Sequence, residues 1–163
     1  MTLLSRKADY ALLILSFLYQ RKEGGTAHVI ADQFDLSRPF VANILKELCA
    51  KGFLTSRRGV KGGYSLARDV ATISLAELLE TVEDGFRLTV CNEHSGAVTE
   101  PCEHSDTCTV KGPMAQVHER LVGVLRGVTL AELFDPKAKL SAPHSLPLIS
   151  AKSCCPGVAP TPA

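Results

Sequence analysis

Three cysteines, Cys91, Cys102 and Cys108, fall in one polar, acidic stretch running from Thr89 to Gly112. Thiolates are soft donors, and three of them on a loop can wrap a metal ion or an iron–sulfur cluster. His94, Glu103, His104 and Asp106 share the stretch and offer competing donors; the plainer alternative is three unpaired structural thiols. The stretch lacks apolar periodicity, and segments of that kind are usually functional or disordered.

A second group of residues suits a polyanion. Ser37, Arg38, Asn43 and Lys46 lie in one short helical segment, and Arg57, Arg58 and Lys61 follow within a few residues. Arg and Asn side chains read base edges, and Lys and Arg neutralise phosphates. A solvated helix face is the ordinary fate of such charges, so the case depends on the elements that carry them.

Those elements follow from periodicity. Residues 5–21 put Ala8, Ala11, Leu12, Leu15 and Leu18 on one face, widened by Ile14 and Phe17, which predicts a buried first helix. After Glu23-Gly24-Gly25, the segment Thr26 to Phe34, with apolar Val29, Ile30 and Phe34, has room for about two helical turns. Asp35-Leu36-Ser37 is a tight connection. Ser37 is expected to cap a third helix that tolerates Pro39 in its first turn and turns Val41, Ile44, Leu45 and Leu48 inward. Two short helices joined this way make a helix-turn-helix. The next residues, FLTSRRGVKGGYSL, read as two short strands around a glycine-rich turn, a hairpin with Arg57, Arg58 and Lys61 at its tip. A basic hairpin in that position is a wing, placed to reach a phosphate backbone or a narrow minor groove.

Further on, Ser74-Leu75-Ala76-Glu77 has capping-box spacing and opens another helix with Leu75, Leu78, Leu79 and Val82 inward. Beyond Gly112-Pro113, a stripe of Met114, Val117, His118, Leu121, Val122 and Leu125 predicts a second long helix, ended by Gly127, whose apolar face needs a partner. Thr129 to Glu132 repeats the capping pattern before Phe134. Six of the nine prolines fall after Asp135, so residues 136–163 read as a disordered tail. The expected fold is mainly α with a small β-hairpin wing, a winged helix-turn-helix followed by a long helix. The expected divisions are 1–84 for the winged region, 85–112 for the cysteine loop, 113–135 for the long and short C-terminal helices, and 136–163 for the tail.

Composition sets the outer limits. The chain has 163 residues, 45% of them hydrophobic, enough for one small domain with a core. Its net charge of +1 conceals an asymmetry: residues 1–70 carry 11 basic against 6 acidic side chains, and residues 71–135 carry 4 against 11. A basic front half fits a polyanionic partner. The longest apolar run, Tyr10 to Tyr19, is ten residues, half of what a bilayer needs at roughly 20. Asp9 and the charged Gln20-Arg21-Lys22-Glu23 argue against a secretory signal. Six cysteines without such a signal are better read as thiols or metal ligands than as disulfides, and the expected location is cytoplasmic, with no membrane partner. Cys49 reads as a small buried hydrophobe, and the adjacent Cys154 and Cys155 are poor partners for each other. No nucleophile elbow, phosphate loop or metalloprotease motif occurs, so an enzyme is not expected.

The run Ser37 to Tyr64, with the opening Arg6-Lys7-Ala8-Asp9-Tyr10-Ala11 and the three later cysteines, resembles the Rrf2 family of bacterial winged-helix transcription regulators over roughly residues 1–135. The resemblance implies a homodimer on a near-palindromic double-stranded DNA operator, with recognition helices in major grooves and wing tips in minor grooves. The family's wing arginine falls on Arg58. It also implies an iron–sulfur cluster on Cys91, Cys102 and Cys108, 4Fe-4S ahead of 2Fe-2S, sensing nitric oxide, redox state or iron–sulfur status. The gap between Cys91 and Cys102 is wider than the family's usual spacing. For the fourth ligand, one branch of the family uses a His three residues after the last Cys, where this chain has Lys111. Another uses a carboxylate near the start of the first helix, where this chain has Asp9. An acid there also suits the helix macrodipole with no ligand role. A regulator without a cluster, switched by zinc, thiol oxidation or a docked partner enzyme, is the alternative.

Overall fold

The computed structural model describes residues 4–59, 62–83, 86, 88–89, 103–104, 107–135 and 137. Helix α1 (Arg6–Gln20) starts at Ser5, whose Oγ accepts the Ala8 amide at 3.2 Å, and buries Ala8, Ala11, Ile14, Leu15, Phe17 and Leu18. Leu12, expected on that face, is only partly buried. Helix α2 (Ala27–Gln33), capped by Thr26, contributes Ile30 and Ala31 to the core while Val29 stays exposed. Asp35 takes a left-handed conformation, φ 51°, and turns the chain into α3 (Arg38–Ala50), which buries Val41, Ile44, Leu45 and Leu48 as its period requires. Ser37 occupies the cap position but makes no capping hydrogen bond.

Strand β1 (Leu54–Arg57) pairs antiparallel with β2 (Gly63–Leu66), Leu54 opposite Leu66 and Arg57 opposite Gly63. The hairpin is also tied to the α1–α2 turn, since Gly25 and Tyr64 exchange backbone hydrogen bonds at 2.9 and 2.8 Å. That approach demands glycine: a Cβ on Gly24, at φ +83°, would sit 2.6 Å from the Tyr64 carbonyl oxygen, and one on Gly63 2.9 Å from that of Gly25.

A single 3₁₀ turn at Val70–Thr72, with no clear sequence signal, leads to α4 (Leu75–Val82). Here the Ser74 hydroxyl accepts the Glu77 amide, but the reciprocal half of the expected capping box is absent, because the Glu77 carboxylate takes Arg68 at 2.6 Å instead. Helix α5 (Lys111–Arg126) packs against α4. The short α6 (Leu130–Phe134) has the complete box, Thr129 Oγ1 accepting the Glu132 amide and Glu132 Oε2 the Thr129 amide. Backbone bonds Leu75 N–H to Val128 O and Leu130 N–H to Ile73 O stitch the starts of α4 and α6 together. Val122, Leu130 and Phe134 thereby join the cluster built by α1 to α4. Thr129→Ala is expected to cost about 1 kcal/mol, the usual value of a lost cap, read as a lower urea midpoint at unchanged slope; an unchanged midpoint would mean that the stitching, not the cap, holds α6.

The expected single stripe on α5 divides in two. His118, 6% exposed, and Val122 face the core, with Leu121 and Leu125 partly buried beside them. Val117 is 49% exposed and Val110, just before the helix, 54%. Residues 138–163, expected as a tail, lie outside the described residues. Among the described residues no helix is long and apolar enough to cross a membrane.

Candidate nucleic-acid interface and cysteine loop

Burying Val41, Ile44, Leu45 and Leu48 leaves Asn43 and Lys46, three residues apart, exposed on the outer side of α3. Ser37 and Arg38 are exposed at its start, and the Ser37 hydroxyl is free of any capping role. Arg38 Nη2 lies 3.6 Å from Asp32 Oδ1 on α2, with both side chains more than half exposed. An open pair of that kind is worth ~0–1 kcal/mol, so a phosphate can displace the carboxylate. The helix itself is held by Lys7 of α1, whose Nζ reaches Glu47 Oε1 at 2.8 Å, and by the edge-on contact of Phe40 with Tyr10 at 5.3 Å. Phe40 and Tyr64 therefore pack rather than present themselves.

In the wing, Leu54 faces inward, so Thr55 and Arg57 face out together with Ser65 and Gly63, a shared face marked by the 3.0 Å contact between the Thr55 and Ser65 hydroxyls. Arg57 and Arg58 are exposed and form no ion pair among the described residues. Lys61 lies outside them.

Of the cysteine set, Cys108 is described and Cys91 and Cys102 are not. Cys108 is a free, partly buried thiol just ahead of α5, after a turn closed by the Thr107 amide on the His104 carbonyl. Asp9 is exposed in the first turn of α1. The Ser5 amide donates to Glu83 Oε1 at 2.9 Å, which holds the first turn of α1 against the end of α4, close in sequence to where the cysteine stretch begins. Among the described residues no three His, Cys, Asp or Glu side chains converge on a metal site, as follows when two of the three thiols are not among them. The donor types themselves fit an iron–sulfur cluster, three soft thiolates and one carboxylate. Cys49 is partly buried on α3, and burial pushes its thiol pKa up, which leaves it protonated at neutral pH and a poor ligand.

A helix-turn-helix, a glycine-dependent basic wing and a long helix that follows Cys108 occur here in one chain. The family model described as "Iron-dependent Transcriptional regulator", Rrf2, matches residues 4–136. The chain belongs to the Rrf2 family. Its relatives include the HTH-type transcriptional regulator IscR of Klebsiella pneumoniae (strain 342), 27% identical over 134 residues, covering 81% of this chain and 79% of that protein. Among solved structures, T. potens IscR superposes with a TM-score of 0.59 at 24% identity, covering 80% of this chain and 84% of that one. CymR (YrzC), the global cysteine regulator of B. subtilis, gives 0.62 at 22% identity, covering 82% and 97%. Like these relatives, the chain is a winged-helix transcriptional regulator.

Several residues that shape this Rrf2 interface carry no signal of their own in the sequence. Lys7, Glu47 and Glu83 act through long-range pairs. The Gly24-Gly25 pair did carry one, since glycine after a helix marks either a helix end or a close approach, and it does both here. On the wing, Arg58→Ala is expected to weaken operator binding about 5- to 150-fold, the cost of about 1–3 kcal/mol for a specific side-chain contact, with the oligomeric state unchanged. Anisotropy titration checks it, and unaltered affinity would remove the wing from the interface.

Proposed function

We propose that the chain is a homodimeric repressor whose hold on a near-palindromic double-stranded DNA operator is set by an iron–sulfur cluster, 4Fe-4S ahead of 2Fe-2S. Ser37, Arg38, Asn43 and Lys46 of α3 enter the major groove, and Arg57, Arg58 and Lys61 of the wing take the adjacent minor groove and backbone. The observation that carries the DNA contact is the combination of an outward Asn43–Lys46 face with two exposed wing arginines that form no ion pair among the described residues. Cys91, Cys102 and Cys108 hold the cluster, with Asp9 as fourth ligand. When bound, the cluster supplies a centre that reacts with nitric oxide and oxidants.

The protein's own part is to link loop order to the spacing of the two heads. Cys108 stands at the root of α5, Glu83 at the end of α4 is bonded to the start of α1, and α1 holds α3 through Lys7 and Glu47. A change at the loop thus has a covalent and hydrogen-bonded route to the recognition helix. It shifts operator affinity only to the extent that the binding and non-binding forms interact differently with the cluster.

The test is an absorption spectrum with iron and sulfide assay on anaerobically purified protein. A broad visible band with matching iron and sulfide supports the reading. Colourless protein that stays so after reconstitution moves the switch to zinc, thiol oxidation or a docked partner.

A further inference from the structure

The eleven basic residues of the front half are not equally engaged. Lys7, Arg38 and Arg68 are ion-paired with Glu47, Asp32 and Glu77. Arg21 and Lys22 lie far from the recognition helix in sequence, at the end of α1, yet the Gly25–Tyr64 pairing folds their turn against the wing. The result is an open polar groove of about 510 Å³ between the α1–α2 turn and the outer face of the hairpin, lined by Arg21, Lys22, Glu23, Arg57, Gly63 and Ser65 among others. Three cations meet there with one carboxylate. Lys22 and Arg57 form no ion pair among the described residues. The Arg21 guanidinium sits 4.8 Å above the Phe17 ring, a contact that orients the group without neutralising its charge.

The floor of the groove is built rather than incidental. It is made where backbone meets backbone at Gly24, Gly25 and Gly63, and side chains on Gly24 or Gly63 would collide with the carbonyls of Tyr64 and Gly25. Arg57 belongs both to this groove and to the outer wing face. The uncompensated charge is therefore continuous from the wing to the end of α1.

We propose that this groove is a second phosphate cradle, in which Arg21 and Lys22 grip the DNA backbone beside the wing and extend the duplex contact past the wing tip. The proposal rests on the DNA-binding reading above and adds a surface that the helix-turn-helix and wing tip do not include. Contacts of this kind carry affinity and salt dependence and no sequence information.

The test is a salt series of anisotropy titrations on two labelled duplexes, one selected by the wild-type protein from a randomised pool and one scrambled. For Arg21→Ala/Lys22→Ala, the slope of log affinity against log salt is expected to fall by about 3.6 for the proposed dimer, two cations on each protomer at about 0.9 per phosphate contact. The ratio of selected to scrambled affinity is expected to stay at the wild-type value. Circular dichroism reports whether loss of the Arg21–Phe17 contact unfolds the variant. In that event Lys22→Gln alone, one cation on each protomer, is expected to lower the slope by about 1.8. A folded variant with wild-type slope and affinity overturns the cradle. Wild-type protein with no salt-dependent duplex binding instead overturns the DNA-binding reading itself. An unchanged slope together with millimolar inorganic phosphate shifting the Gly25 and Tyr64 amide resonances assigns the groove to a free anion and overturns the duplex partner.

Discussion

Val117→Asp is expected to lower operator affinity by two to four orders of magnitude while each winged head stays folded. Val110, Met114, Val117, Leu121 and Val124 recur at alternating spacings of four and three, the repeat by which one helix packs along another copy of itself. The two most exposed of these, Val110 and Val117, turn away from the core that receives His118 and Val122. Covering them with the same seam of a second chain would give the dimer proposed above for a near-palindromic operator. A carboxylate in that seam would be buried without a partner, so the dimer dissociates. Each head then binds its half-site alone and loses the effective concentration supplied by tethering, about 10²–10⁴ in avidity. Sedimentation gives the mass and anisotropy the affinity. Val122→Ala is the contrast: it leaves a cavity under α5, costs roughly 1–3 kcal/mol of folding stability, and lowers affinity only through the unfolded fraction. A Val117→Asp protein that remains dimeric with full affinity would place the interface elsewhere.

The same helix shows how far the sequence is legible. Its apolar positions were plain, but six residues within about 100–140° of arc look like one face until something else says which half meets the chain's own core. That information lies in α4, about 30 residues earlier in sequence, whose Leu78, Leu79 and Val82 form part of the buried cluster. Helices α1 and α3 were readable because their burial follows their own 3.6-residue period. Two local signals were misleading in physical terms. Ser74 and Glu77 have the spacing of a capping box, yet a charged Arg68 at 2.6 Å outcompetes a backbone amide for the Glu77 carboxylate. Ser37 stands at the cap without bonding there, and Pro39 close behind it lacks one of the early amides to be satisfied. The wing's residues were evident from glycines and charges, whereas its docking on the α1–α2 turn was not, because the pairing of Gly25 with Tyr64 spans distant segments. Of the proposed cluster ligands, the donor chemistry was legible in the three thiols, and the structure describes only Cys108, partly buried ahead of α5, and Asp9, exposed in the first turn of α1.

Cys102→Ala is expected to abolish the visible absorption band and to change operator affinity by about 5- to 150-fold, the range set by a coupling of about 1–3 kcal/mol between two sites. The size is bounded by what links them. The route from Cys108 through α5, and from Glu83 through Ser5, Lys7 and Glu47 to α3, consists of single, partly exposed contacts, so a larger coupling has no structural support. Chelator-stripped wild-type protein is expected to shift by the same factor in the same direction, since both treatments leave the loop without its cross-link. Reciprocity adds a second readout: if operator DNA is bound more tightly by the cluster-bearing form, it must raise the protein's equilibrium affinity for the cluster by the same factor, and if less tightly, lower it. Cys49→Ala should move neither quantity, because burial keeps that thiol protonated and it lies on α3 rather than in the loop. Equal affinity in the intact, stripped and Cys102→Ala proteins would leave a winged regulator whose affinity the three thiols do not govern. The switch would then have to act on α5 or α1 from outside the chain, and the exposed Val110–Val117 seam and the Lys7–Glu47 pair are where variants should first be made.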